Sequence, residues 1–179
     1  RNLPDDALSS NRASDRGDAL AFISDDPDLP GTASGTVTNC QFLSIGQGVH
    51  TRFSSVRVEN CLFTDHRGDN DDVDLYGESQ PPCVVRGNLF MKGHDDYINP
   101  TRCSALIEGN VFLGDRSSGG TDSGVVLRDR GTPVMIHNLV MDCPTAGIAV
   151  QNTCQALLAH NTIVNCGTAV QMRDHTTRH

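Results

Sequence analysis

Six copies of one short apolar pattern run down this chain, and a fixed repeat restricts a fold more tightly than any single motif. Four copies read plainly: VTNCQF (37–42), VENCLF (58–63), VRGNLF (85–90) and IEGNVF (107–112). Two looser ones follow, MIHNLV (135–140) and LAHNTI (158–163). Aligned, they form a column of Cys40, Cys61, Asn88, Asn110, Asn138 and Asn161, with steps of 21, 27, 22, 28 and 23 residues. Three places earlier stand Val37, Val58, Val85, Ile107, Met135 and Leu158; two places later stand Phe42, Phe63, Phe90, Phe112, Val140 and Ile163. A second short run follows each copy: GVH (48–50), VDLY (73–76), DYIN (96–99), GVVL (124–127), GIAV (147–150) and GTAV (167–170). Gly or Asp precedes most of these runs, as a corner requires, and their apolar residues alternate with period two.

Strand, tight corner, strand and looser loop, repeated about every 24 residues, predict an all-β parallel solenoid of about six coils. Equivalent side chains then lie above one another at strand spacing, about 4.8 Å. The phenylalanines become an interior stack and the asparagines a hydrogen-bonded ladder, with Cys as a small buriable substitute at its first two rungs. The competing repeat is the leucine-rich repeat, whose core has a similar L-x-L-x-x-N/C-x-L form. It needs a helical segment where this chain has runs too short, and too closely bracketed by Gly, to be helices. Residues 1–34 are expected to be an N-terminal cap or lead-in segment, with 19–23 as a strand or cap over the first coil, and residues 35–179 the solenoid. A solenoid needs its open ends covered. The last residues, MRDHTTRH, offer no evident cap, so either the native protein continues into adjoining domains or something covers that end. The opening at Arg1 without Met predicts processing, trimming or excision from a longer protein.

Composition narrows the partners. The formal net charge is -8, and Lys92 is the only lysine. With its arginines scattered, the chain lacks the basic patch that nucleic acid needs. No apolar run approaches the length of a membrane span, and none of these residues is expected to form a signal peptide. The acids are 19 Asp against 3 Glu; Asp favours turns and can ligate hard cations from short loops.

The corners NCxF and GNxF, followed by strands such as DxxDL or GIAV, resemble the right-handed parallel β-helix of the pectate-lyase-like superfamily. The resemblance covers about residues 35–174. The later part, GIAVQNTCQALLAHNTIVNCGTAVQMRD, is similar to β-helix modules of secreted or surface proteins of bacteria. It implies an extracellular or cell-surface protein and is specific for the fold; one scaffold hosts many functions.

The densest acidic group is GDNDDVDLYG, with Asp69, Asp71, Asp72 and Asp74; then GHDDYIN, with His94, Asp95 and Asp96; then Asp122 in GGTDSG. The 24-residue step from Asp71 to Asp95 predicts that Asp71 and Asp72 stack on Asp95 and Asp96. His50, 24 residues before Asp74, falls on the same strand face. Three readings remain open. The aspartates cap corner backbone as Asx turns; or Asp71, Asp72, Asp74, Asp95 and Asp96 hold Ca²⁺; or two of them are the acid and base of a glycosidase. Polygalacturonases resemble this region through Asn70, Asp72 and Asp74 followed by Asp95 and Asp96, but their downstream Gly-His-Gly and Arg-x-Lys elements are absent. A polysaccharide lyase would neutralise a uronate with Ca²⁺ and take its C5 proton with a base. The candidates are Lys92, His94 and Arg128, with Tyr97 and Arg130 near them. The expected function is engagement of a polysaccharide, acidic and Ca²⁺-assisted, with lyase chemistry as a branch. The alternative is a non-catalytic structural or adhesive surface module.

The seven cysteines contain no Cys-x-x-Cys pair, which disfavours a zinc ribbon or thioredoxin-type site. Cys143 and Cys166 both lie five residues after the Asn column, and Cys40 and Cys61 lie in it. Stacked positions have Cα separations compatible with a disulfide, although identical interior thiols also pack simply as small apolar groups.

Overall fold

The computed structural model describes residues 18–24, 33–66, 70–116 and 123–174. Strand β1 (Asp18–Ile23) comes first. The first coil is β2 (Ser34–Thr38), β3 (Gln41–Leu43) and β4 (Gln47–Arg52); the second is β5 (Ser55–Glu59), β6 (Leu62–Thr64) and β7 (Val73–Tyr76). The third is β8 (Cys83–Arg86), β9 (Leu89–Met91) and β10 (Ile98–Thr101); the fourth is β11 (Ala105–Glu108), β12 (Val111–Leu113) and β13 (Ser123–Arg128). The fifth is β14 (Val134–Ile136), β15 (Leu139–Met141) and β16 (Ala146–Gln151); the sixth is β17 (Leu157–Ala159), β18 (Thr162–Val164) and β19 (Thr168–Arg173).

Every pairing between these strands is parallel. They form a seven-stranded sheet, β1-β4-β7-β10-β13-β16-β19, and two six-stranded sheets, β17-β14-β11-β8-β5-β2 and β18-β15-β12-β9-β6-β3. The chain is therefore an all-β parallel solenoid of six coils with three faces. No helix occurs among the described residues, which removes the leucine-rich repeat, and none is long and apolar enough to cross a membrane. β1 adds to the first coil's β4 with Leu20 opposite Val49.

The repeat motif spans a corner, so each coil has three strands where the sequence pattern reads two. The residue just before the Asn/Cys column takes a left-handed conformation in every copy: Asn39, Asn60, Gly87, Gly109, His137 and His160, with φ between 53° and 63°. Asn and Gly tolerate this region best. One such residue ends the first strand and turns the chain into the next.

In-register stacking then builds the interior. Val37, Val58, Val85, Ile107, Met135 and Leu158 pair rung on rung. Phe42, Phe63, Phe90 and Phe112 stack with centroids 4.6, 4.7 and 4.9 Å apart and planes within 12°. Each fully buried ring contributes about 2 kcal/mol by removing apolar surface from water. The buried column would strand the amides at the corner, and the asparagines satisfy them. Asn110 Oδ1 accepts from the backbone N–H of Asn88 at 2.9 Å and from its Nδ2 at 3.0 Å. Asn110 Nδ2 in turn donates to Val85 O at 2.9 Å and to Asn138 Oδ1 at 3.0 Å. The ladder begins where the Cys61 backbone N–H donates to Asn88 Oδ1 at 2.8 Å.

Candidate functional site

The candidate site lies on the outer face of the seven-stranded sheet, at the ends where its strands begin. Alternation decides which residues reach it. Along β7, Val73 and Leu75 are fully buried, which turns Asp74 and Tyr76 outward. Register carries the outward position from coil to coil: His50 lies opposite Asp74, and Asp74 opposite Asn99. His50 Nδ1 is 3.1 Å from Asp74 Oδ2, the pairing expected from their spacing.

The strands β7 and β10 pair with a step of 25, Val73 opposite Ile98, not 24. Asp71 therefore lies beside Asp96 and the backbone of Asp72 beside Tyr97, one residue away from the expected stacking. Asp96 and Tyr97 fall in the corner, since β10 begins at Ile98. The shift gathers one group and breaks another. Carboxylate oxygens of Asp71, Asp95 and Asp96 all lie within 4.8 Å of one another. Asp72 does not join them; it is buried against His66, whose Nδ1 meets its Oδ1.

Asp71 and Asp96 have different supports. Asn99 Nδ2 donates to Asp71 Oδ2 at 2.9 Å. The Ser123 backbone N–H donates to Asp96 Oδ1 at 3.1 Å, and Arg128 Nη2 donates to Asp96 Oδ2 at 3.3 Å. Asp71 is only 8% exposed. Burial holds its carboxyl well above the ordinary carboxylate range, and the charges of Asp74, Asp96 and Asp95 push it further, against the Asn99 hydrogen bond. Three carboxylates thus converge with Asp74 close enough to act on Asp71, and an amide, an imidazole and a guanidinium contact members of this set.

Of the expected proton acceptors, Arg128 touches Asp96 from the end of β13. Lys92 and His94 stand exposed on the corner 92–97 that also carries Asp95 and Asp96. Tyr97 is fully buried and its hydroxyl donates to Leu113 O, so it belongs to the core. Arg130 lies at the opposite ends of the sheet's strands, where it lines a cavity of about 530 Å³ with Glu78, Arg102, Asp129 and Thr153. Asp69 and Asp122 lie outside the described residues. Two contributors escape sequence reasoning, His66 and Asn99. Only the 25-residue step could have pointed to Asn99, and His66 has no equivalent in other coils.

A family described as right handed beta helix region matches residues 29–178. No curated protein matches the chain. Among solved structures, the surface protein and adhesin PfbA of Streptococcus pneumoniae is similar at 11% identity and a TM-score of 0.48 over 89% of this chain. The chain spans about half of that structure, 46%.

Proposed function

Because this chain belongs to the right-handed beta helix family, whose scaffold fixes geometry and leaves chemistry to its sites, we propose that its seven-stranded face engages an acidic polysaccharide through Ca²⁺. The observation that carries this reading is the convergence of Asp71, Asp95 and Asp96 within 4.8 Å. Oxygens bound to one Ca²⁺ sit about 2.3–2.6 Å from it and so up to about 5 Å apart, which suits this spacing. Asp74 stands close enough to act on Asp71, and uronate carboxylates of the polymer would supply further oxygens. A cation there would offset the mutual repulsion that now raises Asp71. The parallel face repeats at a fixed strand spacing, which suits a regular polymer. Such a partner places the protein outside the cell or on its surface.

A lyase branch would use Lys92, His94 or Arg128 to accept the C5 proton of a bound uronate. The second reading, a non-catalytic structural or adhesive module, draws support from the donors already present. Asn99 hydrogen-bonds Asp71 and the Arg128 guanidinium offsets the charge of Asp96 without a metal.

A calcium titration followed by thermal melting, with affinity electrophoresis in polygalacturonate gels, separates these. Ca²⁺-binding engagement expects Tm to rise with Ca²⁺ and fall back with EDTA, and migration to be retarded only with the ion. An unchanged Tm together with free migration rejects it in favour of the structural module. Ultraviolet absorbance from an unsaturated product, lost in Lys92→Ala, would assign lyase activity.

A further inference from the structure

The cysteines are thiols in the structure, yet six of the seven meet a second cysteine in the adjoining coil. Cys40 and Cys61 lie one above the other beside the pair Gln41 and Leu62, and the Leu62 N–H donates to Cys40 O at 2.9 Å. Their sulfurs fold back to equivalent carbonyls, Cys40 Sγ to Thr38 O and Cys61 Sγ to Glu59 O, both at 3.3 Å. Cys143 and Cys166 repeat this arrangement two residues past the pair Met141 and Val164. Their sulfurs donate to Met141 O at 3.6 Å and Val164 O at 3.4 Å. Room for them comes from two stacked glycines: a Cβ on Gly124 would lie 3.2 Å from Cys143 Sγ, and one on Gly147 3.4 Å from Cys166 Sγ. The third pair is Cys83, at the start of β8, and Cys103, two residues before Ala105, the register partner of Cys83. Each thiol is the other's strongest electrostatic neighbour, while Cys83 Sγ donates to Ser54 O at 3.4 Å.

The distribution argues against cysteine as filler. A filler residue recurs in one column, as Phe and Asn do here. Instead each pair occupies a different corner of the coil and a different boundary: coils one to two, three to four, and five to six. No boundary is used twice. The first pair also stands where the Asn ladder has no asparagine.

We propose that Cys40–Cys61, Cys83–Cys103 and Cys143–Cys166 are disulfide-forming pairs, each stapling one coil to the next, with Cys154 left as the free thiol. For Cys40–Cys61 and Cys143–Cys166, which follow the strand register, parallel neighbours at about 4.8 Å fall inside the Cα range of disulfides. Cys103 is offset from the Cys83 rung by two residues in the corner before β11. The oxidant is a small-molecule or protein disulfide. A cysteine thiolate attacks its S–S bond and expels one thiolate, and the partner cysteine then displaces the second. Two protein S–H bonds and one external S–S bond become one protein S–S bond and two external S–H bonds. Cys40 is exposed and Cys166 half-buried, so the outer pairs are open to exchange in the folded protein. Cys83 and Cys103 are fully buried and would be joined while the coils close. The Cys103 thiol lowers the Cys83 thiol to about 7, which favours the thiolate near neutral pH.

The test is refolding from urea in a mixture of reduced and oxidised glutathione, then alkylation in denaturant and peptide mapping. One alkylated cysteine, Cys154, is expected, with the three named pairs each lighter by two hydrogens. The Tm of this protein is expected to exceed that of the reduced protein by at least about 5 °C. Seven alkylated cysteines, a bridge that includes Cys154, or any other pairing of the six would overturn the scheme.

Discussion

His66 and Asp72 form an imidazole–carboxylate pair inside the solenoid, with side chains 1% and 2% exposed. The rings of Phe63 and His66 meet in a T-shaped arrangement with centroids 6.0 Å apart. Burial raises the Asp72 carboxyl, and the His66 hydrogen bond and charge work against that rise. Asp72 Oδ2 and His66 Nε2 have no hydrogen-bond partner among the described residues. Removing one member leaves the other as a sealed, uncompensated group. We therefore expect His66→Leu to cost about 3–5 kcal/mol in urea denaturation, and His66→Leu/Asp72→Leu to recover most of it. A single variant as stable as the wild type would show that the two do not act as a buried charged unit.

The aromatic stack gives a second test. Phe90 is fully buried between Phe63 and Phe112 and leans on Tyr97 at 5.9 Å. The rungs above and below are fixed by backbone pairing, so the site cannot collapse. Phe90→Ala is expected to cost about 3–5 kcal/mol, whereas Phe90→Leu retains much of the volume and should cost clearly less. Equal losses for the two would mean that the space is not held rigidly.

The ladder makes a sharper demand, because its value lies in groups left behind. Asn110→Ala strips an acceptor from the Asn88 backbone N–H and Nδ2 and a donor from Val85 O. Stranded buried polar groups cost about 1–3 kcal/mol each, so the loss should exceed that of an exposed Asn165→Ala by at least about 2 kcal/mol. Hydrogen exchange at the Asn88 amide should rise in the same variant.

Sequence pattern exposed the features that repeat and concealed those that occur once. The Phe and Asn columns were legible because the same residue type recurs at each rung, and stacking needs only that. Register at β7 and β10 was not legible. Corner length varies between coils, so a 24-residue spacing between aspartates does not determine which backbone groups pair. That single residue moved Asp72 from the acidic group to His66. Asn99 already fell in the strand run DYIN, but a 24-residue spacing gives no sign that its amide reaches Asp71. The third strand of each coil was concealed by Asn39 and its equivalents, whose left-handed φ divides an apparently continuous apolar motif.

The acidic group itself predicts a pH dependence. Folded Asp71 keeps its proton above the ordinary value of 3.8, because it is buried beside Asp74, Asp96 and Asp95. The folded state then binds more protons than the unfolded one, so the Asp71 contribution is complete below about 3.8 and is lost as pH rises through the raised folded value. Asp71→Asn keeps an acceptor for Asn99 Nδ2 and carries no charge at any pH. Its Tm should match that of the wild type at the acid end and exceed it increasingly as pH rises toward neutrality. Added Ca²⁺ should narrow that gap at neutral pH by stabilising the wild type alone, since the variant lacks one of the three converging carboxylates. Melting curves across pH, with and without the ion, read both effects. A variant that is less stable than the wild type at neutral pH without Ca²⁺ would mean that Asp71 is held by its hydrogen bond more than it is opposed by its neighbours.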